Sequence, residues 1–410
     1  MLDRLPHANE RRLAVRLLKD AQRQVRGGHP WVYASAITSL SHEGESGDLA
    51  VLFDDDRKFL AIGLYDPRSP LRVRVLHHGR PRTLDESFWR ERLTAAFALR
   101  APLEASSHTN AYRCLHGEND QLPGLVLDRY DRSYVLKLDT HAWLPHLAAL
   151  VPLLVERTGA QRIVLRLSRS EREAAAELGL TDGTLLHGDA PPARLDFLEN
   201  GLHFDADIVR GQKTGHFLDQ RENRARVREL ADGARVLDVF SCNGGFSVYA
   251  AAGGARSVHS VDQSPHAIEA VQRNLQANRA QPGVAACSAA SSVGDAFAVM
   301  RTLVEDGERF ELVIVDPPSF ASKQADIPAA LNAYRRLTDL ALKLCAPRAV
   351  LVQSSCSSRV QADAFFDTIR EAALRSGRRL QELERSAHAL DHPIGFPQGA
   401  YLKTLFSRVG

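Results

Sequence analysis

The sequence predicts an α/β protein in which a doubly wound parallel sheet follows two smaller segments. Three observations support this expectation. After Pro191 and Pro192, apolar runs of strand length alternate with stretches of helical periodicity, which is typical of a parallel sheet that binds ligands at its strand carboxyl ends. At the start of the chain the apolar runs are short and are separated by Gly, Pro and Asp. A chain of 410 residues is also too long for one ordinary core.

Residues 1–82 are expected to form a small β-rich domain. Short apolar runs that predict strands lie at 13–18, 31–33, 49–53 and 59–64. The segment that follows alternates apolar and basic residues, so Arg72 and Arg74 would point to one face of a strand. They are candidate substrate-binding residues, because they could neutralise the phosphates of a nucleic acid. From charge alone, a solvated strand face is the simpler explanation.

Residues 83–195 predict a central α/β domain. It begins with a linking helix over 84–103 and contains an amphipathic stretch at 144–155. Residues 196–410 predict the larger α/β domain. Its strands are expected at 236–240, 258–261, 312–315 and 350–352, and its helices include 246–252 and 265–278, with Pro265 in a first turn.

Composition and charge exclude several classes of protein. The net charge is +2, and residues 1–82 hold 14 Lys/Arg against 10 Asp/Glu. The sequence has no apolar run of about 18 residues, which argues against a membrane span, and its start lacks the apolar core of a signal peptide. Five cysteines form no CxxC pair and no Cys/His ligand spacing, so neither disulfides nor a metal site is expected. We therefore expect a cytoplasmic protein with reduced thiols.

A cofactor-binding turn is predicted between the first strand and the first helix of the last domain. Asp238 lies in that strand, and Gly244 and Gly245 in the turn would let the backbone approach a ligand that a Cβ would exclude. Asp262 ends the next strand, where a carboxylate can accept both hydroxyls of a ribose. The spacing of the glycines differs from the NAD fingerprint, which counts against NAD.

A third acidic residue, Asp295, lies where a third strand should end. It is placed to bind an adenine amino group, and Phe297 offers a stacking face. A helix cap for Asp262 and an ordinary solvated loop position for Asp295 explain each residue alone equally well. Three acidic positions at successive strand ends favour a nucleoside site.

The sequence Asp316-Pro317-Pro318-Ser319-Phe320 follows a further apolar strand. Two prolines hold the chain extended and withhold backbone donors, which leaves the Asp316 side chain and nearby carbonyls facing the cleft. Such a turn suits the exocyclic amine and ring nitrogen of a base. It predicts a methyltransferase that acts on a planar nitrogenous substrate, without choosing the base.

Cys356 indicates that the base is cytosine. It ends the next strand and is flanked by serines. Carbon 5 of cytosine becomes nucleophilic when a thiolate adds to carbon 6, and this chemistry needs an accessible, partly ionised thiol. Asp316 could support protonation at ring nitrogen 3. The remaining cysteines are expected to be small buried apolar residues. They are Cys114, Cys242, Cys287 and Cys345.

These stretches resemble a known family over nearly the whole chain. The sequence is similar to the bacterial 23S ribosomal RNA cytosine-5 methyltransferases with an amino-terminal PUA domain. The stretches that carry the resemblance outside those described above are RGGHPWVY at 26–33, HGEND at 116–120, LPGL at 122–125, DRY at 128–130, KTGHFLDQR at 213–221, DHP at 391–393 and GAYLK at 399–403.

The resemblance implies a PUA domain that binds RNA, a central α/β domain and a Rossmann-like class I methyltransferase domain that uses S-adenosyl-L-methionine. It implies that Gln220 and Arg221 border the cofactor pocket, and Phe240 and Pro317 are expected to line the same pocket. The residues expected to face the base are Pro318, Ser319 and Phe320. The implied partner is 23S ribosomal RNA of the large subunit. A homodimer is a separate hypothesis.

Two departures from the pattern affect the expected chemistry. Cys242 stands where many methyltransferase turns have Gly, so the backbone there could curve differently. Many RNA cytosine-5 enzymes carry a second Cys in the Asp-Pro-Pro turn, where this chain has Pro317-Pro318-Ser319. The base that removes the carbon 5 proton is therefore left open.

Two other functions compete with cytosine-5 methylation. In an exocyclic amino methyltransferase acting on adenine or guanine, Asp316 and the Pro317 carbonyl would orient the amine without a thiol. Such enzymes usually place Tyr or Phe directly after the prolines, where this chain has Ser319. The second alternative is a non-enzymatic RNA-binding factor, which the combination of acidic strand ends with Cys356 disfavours.

Overall fold

The structure is a computed structural model that describes residues 2, 5, 7, 9–211 and 213–410. The start of the chain, where a signal core was sought, therefore lies partly outside the described residues. The chain divides into two compact units. The first contains Met1–Phe197, Ala206–His216 and Leu390–Phe396, and the second contains Leu198–Asp205, Phe217–Ala389 and Pro397–Gly410. These two units do not separate the first two predicted domains from each other, so the boundaries predicted at 82 and 195 remain predictions.

The first sheet has six strands in the order β2-β6-β5-β4-β1-β3. Its elements are β1 (Leu13–Leu17), α1 (Lys19–Arg26), β2 (Trp31–Tyr33), β3 (Ile37–Leu40), β4 (Leu49–Phe53), β5 (Phe59–Tyr65) and β6 (Leu71–His78). Strands β1 and β4 are parallel, and the other pairings are antiparallel. The runs at 31–33 and 49–53 form strands as predicted. The helix α1 was not predicted, because only a narrow stripe of this polar segment is buried.

The second sheet has five strands in the order β11-β10-β9-β8-β7. The elements around it are α2 (Glu86–Leu99), α3 (Ala101–Glu104), β7 (Ala111–His116), β8 (Leu125–Tyr130), β9 (Ser133–Leu138), α4 (Leu147–Thr158), β10 (Arg162–Leu167), α5 (Arg172–Ala176) and β11 (Leu185–Gly188). The predicted linking helix is divided, because Pro102 starts a new short helix. After these elements β12 (Leu195–Glu199) and β13 (Leu202–Ala206) form a two-stranded sheet.

The last sheet has seven strands in the order β16-β15-β14-β17-β18-β20-β19. Its strands are β14 (Arg235–Val239), β15 (Ser257–Asp262), β16 (Ser288–Val293), β17 (Phe310–Val315), β18 (Cys345–Ser355), β19 (Leu380–Ser386) and β20 (Lys403–Val409). The helices of this part are α6 (Arg221–Leu230), α7 (Gly245–Ala252), α8 (Pro265–Ala277), α9 (Pro282–Ala286), α10 (Ala296–Glu305), α11 (Ile327–Leu344) and α12 (Ala362–Arg375).

The seven-stranded sheet is mixed, which corrects the prediction of a parallel sheet. Strands β14 to β18 are parallel, but β20 runs antiparallel to both β18 and β19. The sequence did not reveal these two strands. The edge strand β19 is largely polar and half-exposed, so it lacks an apolar run, and β20 carries a lysine at its start.

The core of the seven-stranded sheet is built from the residues that predicted its strands. Leu237, Val239, Val313 and Val315 are fully buried and pack with residues of α10 and α11. Burial of such aliphatic side chains supplies the main driving force for this layered arrangement. The helix α8 begins at Pro265, as predicted. Within the described part of the chain, we find no helix with the length and apolar character that crossing a bilayer requires.

Candidate active site

The turn that follows β14 has an unusual backbone. Phe240, Cys242 and Gly244 all have positive φ angles, of 67°, 49° and 80°. The amides of Phe240 and Ser241 donate to the Val261 carbonyl oxygen at 2.9 and 3.0 Å, which ties the turn to β15. A non-glycine residue with positive φ is uncommon and costs free energy. Cys242 is therefore held in the left-handed conformation that glycine would adopt more easily.

The two glycines of this turn have a packing explanation. A Cβ on Gly244 would lie 3.0 Å from the Val271 Cα in α8, and a Cβ on Gly245 would lie 2.8 Å from the Arg224 Cδ. The first distance is tighter than nearly all real contacts of a Cβ, and the second would require the Arg224 side chain to shift. The packing of α8 and Arg224 thus accounts for both glycines, and contact between this turn and a cofactor stays a proposal.

Asp262 joins the turn to the start of α8. Its Oδ2 accepts a hydrogen bond from the Cys242 amide at 2.9 Å, and its Oδ1 accepts one from the Ser264 amide at 2.9 Å. The side chain is half-buried at the end of β15. Each carboxylate oxygen has two lone pairs, so Asp262 retains acceptor capacity for hydroxyl donors such as those of a ribose.

Asp238 lies beneath the turn and is fully buried. Its Oδ2 accepts a hydrogen bond from the Ser247 hydroxyl at 2.6 Å, which fixes α7 against β14. Among the described residues, its Oδ1 has no hydrogen-bond partner. Burial raises the pKa of Asp238 to about 6, because the charged form is deprived of solvent. The observed contact assigns Asp238 a role in packing α7 against β14, and direct contact with a cofactor remains a proposal.

Asp295 and Phe297 lie at the start of α10. Asp295 is exposed and is the N-cap of this helix, because its side chain accepts a hydrogen bond from the Ala298 amide at 3.0 Å. Phe297 is half-buried, and the Arg336 guanidinium lies 4.7 Å from the centre of its ring. The Arg336 guanidinium thus already covers one face of the Phe297 ring, which was predicted to stack on adenine.

Gln220 and Arg221 are buried at the start of α6. The Gln220 Oε1 accepts a hydrogen bond from the Asn223 Nδ2 at 2.5 Å, and the same nitrogen donates to the Thr404 hydroxyl at 3.0 Å. Thr404 in turn is 2.8 Å from the Ser354 hydroxyl. This chain of hydrogen bonds joins α6, β20 and β18 just before Cys356. The sequence could not reveal it, because its members lie far apart along the chain.

The Asp-Pro-Pro turn and Cys356 meet at the ends of two adjacent parallel strands. Val315 in β17 pairs with Gln353 in β18, so both chains leave the sheet at the same edge. The Cys356 Sγ lies 3.9 Å from the Pro317 carbonyl oxygen, and the thiol is partly exposed. The amide of Asp316 donates to the Val239 carbonyl oxygen at 3.3 Å, which joins the turn to β14. Neighbouring strand ends therefore bring together the two features that the sequence singled out.

The residues after the turn have different environments. Pro318 and Ser319 are exposed, and the Ser319 hydroxyl donates to the Ala321 carbonyl oxygen at 3.2 Å. The Phe320 ring lies 5.2 Å from the Tyr334 ring and packs at the margin of an apolar cluster. Phe320 is thus partly engaged by the protein core.

Two residues near Cys356 were not identified from the sequence. The Tyr334 hydroxyl is 2.8 Å from the Ser355 hydroxyl, and burial raises the pKa of Tyr334 to about 12. The Lys403 amine is buried and donates to carbonyl oxygens directly after the thiol. No clear sequence signal marked Lys403, because β20 mixes polar with apolar residues. Its burial in the structure is what singles it out, since buried lysines are rare unless they are paired.

The arginines of β6, in the other unit, are largely engaged within the protein. Arg74 donates to Glu118 Oε1 at 2.8 Å and to the Asp139 carbonyl oxygen at 3.2 Å. Arg72 donates to the carbonyl oxygens of Asp66 and Pro67. This strand therefore offers less free positive charge than its sequence suggests, and phosphate binding by these arginines stays a proposal.

The second unit thus contains a Rossmann-like domain with a polar site at the carboxyl ends of its parallel strands. A half-buried carboxylate at the end of β15 suits a ribose. The left-handed turn after β14 and the exposed carboxylate at the start of α10 lie at the neighbouring strand ends. These groups fit a nucleoside cofactor. This arrangement is typical of Rossmann-like proteins that bind a nucleoside cofactor, a class that includes the methyltransferases.

Comparison with known proteins agrees with this class. Residues 181–407 match the family of S-adenosylmethionine-dependent methyltransferases, and residues 15–78 match the family of PUA-like domains. A ribosomal RNA large subunit methyltransferase of Deinococcus radiodurans is 46% identical over 405 residues, which cover 98% of each chain. The ribosomal RNA large subunit methyltransferase I of Erwinia tasmaniensis is 34% identical over 401 residues, covering 97% of this chain and all of that one.

Solved structures show the same fold. A protein described as a SAM-dependent methyltransferase from Streptococcus mutans has a TM-score of 0.80 at 19% identity, covering 96% of this chain and 99% of that one. A methyltransferase complexed with SAH has a TM-score of 0.81 at 19% identity, covering 97% and 99%. The chain belongs to the S-adenosylmethionine-dependent methyltransferases, carries a PUA-like domain, and uses S-adenosyl-L-methionine as its cofactor.

Proposed function

We propose that this methyltransferase forms 5-methylcytosine in 23S ribosomal RNA, with Cys356 as the nucleophile. The observation that supports the proposal most strongly is the partly exposed thiol of Cys356, 3.9 Å from the Pro317 carbonyl oxygen. A base whose exocyclic amine is held by the Asp316–Pro317 turn would lie beside this thiol. Large-subunit ribosomal RNA is proposed as the substrate because the relatives from Deinococcus radiodurans and Erwinia tasmaniensis are named for it.

The cofactor would be held by groups at the neighbouring strand ends. Asp262 would accept hydrogen bonds from the ribose hydroxyls. Asp295 would accept a hydrogen bond from the adenine amino group, beside the ring of Phe297. Gln220 and Arg221 at the start of α6 would border the same pocket. When bound there, S-adenosyl-L-methionine supplies an electrophilic methyl group.

Cys356 would open the reaction by covalent addition. The electron pair of its thiolate forms a bond to carbon 6 of cytosine, and the electron pair of the 5,6 double bond makes carbon 5 nucleophilic. Asp316 would hold the proton that ring nitrogen 3 gains during this addition. Carbon 5 would take the methyl group, and the cofactor sulfur would keep the electron pair of the broken bond. A base would then remove the carbon 5 proton, the double bond would re-form, the thiolate would leave and ring nitrogen 3 would release the proton that it gained.

An exocyclic amino methyltransferase is the alternative, and the Asp-Pro-Pro turn alone would serve it equally well. Such an enzyme needs a ring that stacks on the base. Phe320 is the candidate, yet its ring packs beside Tyr334 at the margin of the core. The proposal therefore favours covalent chemistry at Cys356.

The test uses ribosomal RNA from cells that lack this gene. The purified enzyme and its Cys356→Ala variant are incubated with this RNA and the cofactor, and the nucleosides are separated by mass spectrometry. The proposal predicts 5-methylcytidine with the wild-type enzyme and none with the variant. Methylated adenosine or guanosine formed by both enzymes would establish the alternative.

A further inference from the structure

The side chain of Lys403 reaches the segment that follows Cys356. Lys403 lies directly opposite Ser355 in the antiparallel pairing of β20 with β18. Its side chain therefore projects from the same face of the sheet as that of Ser355. The Lys403 Nζ donates to the carbonyl oxygens of Ser357, of Val360 at 2.7 Å and of Tyr401 at 3.1 Å.

Three carbonyl acceptors match the donor count of an ammonium group. A charged lysine has three N–H donors, whereas the neutral amine has two donors and one lone pair. Burial lowers the pKa of Lys403 to about 8, and the charge of Cys356 acts in the opposite direction. Lys403 is thus mainly protonated at pH 7. Because all three protons are donated to carbonyl oxygens, it is a poor candidate for the base that removes the carbon 5 proton.

We propose that Lys403 is a positioning residue for Cys356, which fixes the segment after the thiol and stabilises the thiolate through its positive charge. The inference rests on the proposed function, in which the thiolate is the nucleophile. A buried ammonium group is expensive to desolvate. Methionine fills a similar space but would leave these three carbonyl oxygens without their donor, so the hydrogen bonds fix the segment after the thiol and the positive charge acts on the thiolate.

Two other titratable groups act on the same thiol. The Tyr334 phenol lies on α11, and its pKa is raised by burial and by the nearby charges of Cys356 and Asp316. It is neutral at pH 7 and adds no charge. The Asp316 carboxyl belongs to the turn whose Pro317 carbonyl oxygen lies 3.9 Å from the thiol, and a negative charge there would disfavour the thiolate. Since the electrostatic effect between two sites is mutual, the interaction that favours the Lys403 ammonium also favours the Cys356 thiolate.

The test measures the ionisation of Cys356 without RNA or cofactor. The rate of carboxamidomethylation of Cys356 by iodoacetamide is followed between pH 5 and 10 by peptide mass spectrometry, which distinguishes this thiol from the others. The enzymes compared are the full-length wild type, Lys403→Met, Lys403→Arg and Tyr334→Phe. The methionine variant removes the charge, the arginine variant retains it, and the Tyr334 variant removes a neighbouring hydrogen bond without changing the charge.

The positive charge of Lys403 favours the thiolate, so the wild-type thiol is expected to ionise at a lower pH than the thiol of Lys403→Met. In Lys403→Met the alkylation rate at pH 7 falls about 10-fold, equivalent to a rise of about one pH unit in the midpoint. The rate stays within about threefold of wild type in Lys403→Arg and Tyr334→Phe. A folded Lys403→Met variant with an unchanged profile would overturn the inference.

The neutral variant Lys403→Gln keeps the inference testable if Lys403→Met does not fold, because its amide can still donate to the carbonyl oxygens. A folded Lys403→Gln variant with the wild-type alkylation profile would contradict stabilisation of the thiolate by the positive charge. The outcome is also separable from that of the proposed function. If Lys403→Met shifts the alkylation profile while Cys356→Ala still methylates RNA, the covalent mechanism fails and the electrostatic role of Lys403 stands.

Discussion

The Cys356 Sγ lies 3.9 Å from the carbonyl oxygen of Pro317, although the two residues belong to different strand ends. They meet because β17 and β18 are parallel neighbours, with Val315 opposite Gln353, and both chains leave the sheet at its carboxyl edge. A thiol and an Asp-Pro-Pro turn at this distance can act on the same base.

Replacing the proposed nucleophile is expected to abolish activity. In Cys356→Ala, kcat for methyl transfer to ribosomal RNA falls by at least about 1,000-fold, because removal of a covalent nucleophile leaves only binding and orientation. The measurement is transfer of a radioactive methyl group from the cofactor to RNA. Cys287→Ala, which removes a buried thiol outside this site, is the control and retains activity within about twofold. A Cys356→Ala enzyme as active as this control would refute the covalent mechanism.

Asp262→Asn is expected to weaken cofactor binding. The carboxylate holds the amides of Cys242 and Ser264 and is proposed to accept the ribose hydroxyls. Loss of charge-assisted hydrogen bonds at about 1.5–3 kcal/mol corresponds to a Kd about 10- to 100-fold higher. Titration calorimetry with S-adenosyl-L-methionine measures it. Asp306→Asn, at an exposed position after α10, is the control, and equal affinities in the two variants would contradict the assignment.

Thr404→Val is expected to destabilise the second unit. The substitution keeps the shape of the side chain but removes the hydroxyl that contacts both Asn223 and Ser354. Leaving these buried groups unpaired lowers the free energy of unfolding by about 1–3 kcal/mol. Denaturant unfolding followed by circular dichroism measures the change. Thr302→Val, at an exposed position of α10, serves as the control, and an equal stability of the two variants would show that the buried hydroxyl contributes nothing.

His141 is expected to make the stability of the first unit depend on pH. Its Nδ1 lies 2.7 Å from Glu171 Oε2, and its Nε2 lies 3.2 Å from Asp66 Oδ1. The two carboxylates raise the pKa of His141 from 6.5 to about 9, and this increase outweighs the effect of burial. A raised pKa stabilises the fold fully below about 6.5, and the contribution is lost as the pH rises through about 9.

The His141→Gln variant tests this pH dependence. Denaturant unfolding at pH 6 is expected to show a loss of about 2–3 kcal/mol relative to wild type, and the difference shrinks towards pH 10. His266→Gln, at an exposed position of α8, is the control and is expected to change the free energy of unfolding by less than about 0.5 kcal/mol at pH 6. A stability difference that stays constant from pH 6 to pH 10 would contradict the charged state assigned to His141.

Much of the fold could be predicted from periodicity, but several functions of individual residues could not. The alternation of apolar strands with helical stretches predicted β14, β15 and β17. Because the carboxyl ends of neighbouring parallel strands meet at one edge of a sheet, the sequence also predicted that Cys356 lies near the Asp-Pro-Pro turn. The positions of the strand ends do not reveal which side chains pack against a turn, so the contacts of Val271 and Arg224 with the glycines were not predicted. Such contacts depend on side chains that are remote in sequence.

Charged residues were the hardest to interpret from the sequence. Arg74 has the spacing of a phosphate-binding residue, yet the structure pairs it with Glu118, a partner that no local pattern reveals. Lys403 was noticed only as part of a resembling stretch, because the antiparallel strand that carries it was not predicted. Its contacts with the carbonyl oxygens after Cys356 become visible only when β18 and β20 are paired.

Trapping of the covalent intermediate tests the central claim most directly. In ribosomal RNA that contains 5-fluorocytosine, the fluorine at carbon 5 cannot be removed as a proton, so the bond between Cys356 and carbon 6 should persist after methyl transfer. Digestion and mass spectrometry of the cross-linked product then identify the attached peptide. We expect a methylated 5-fluorocytosine joined to the peptide that contains Cys356. Methylation of RNA without any such adduct, or an adduct on another cysteine, would contradict it.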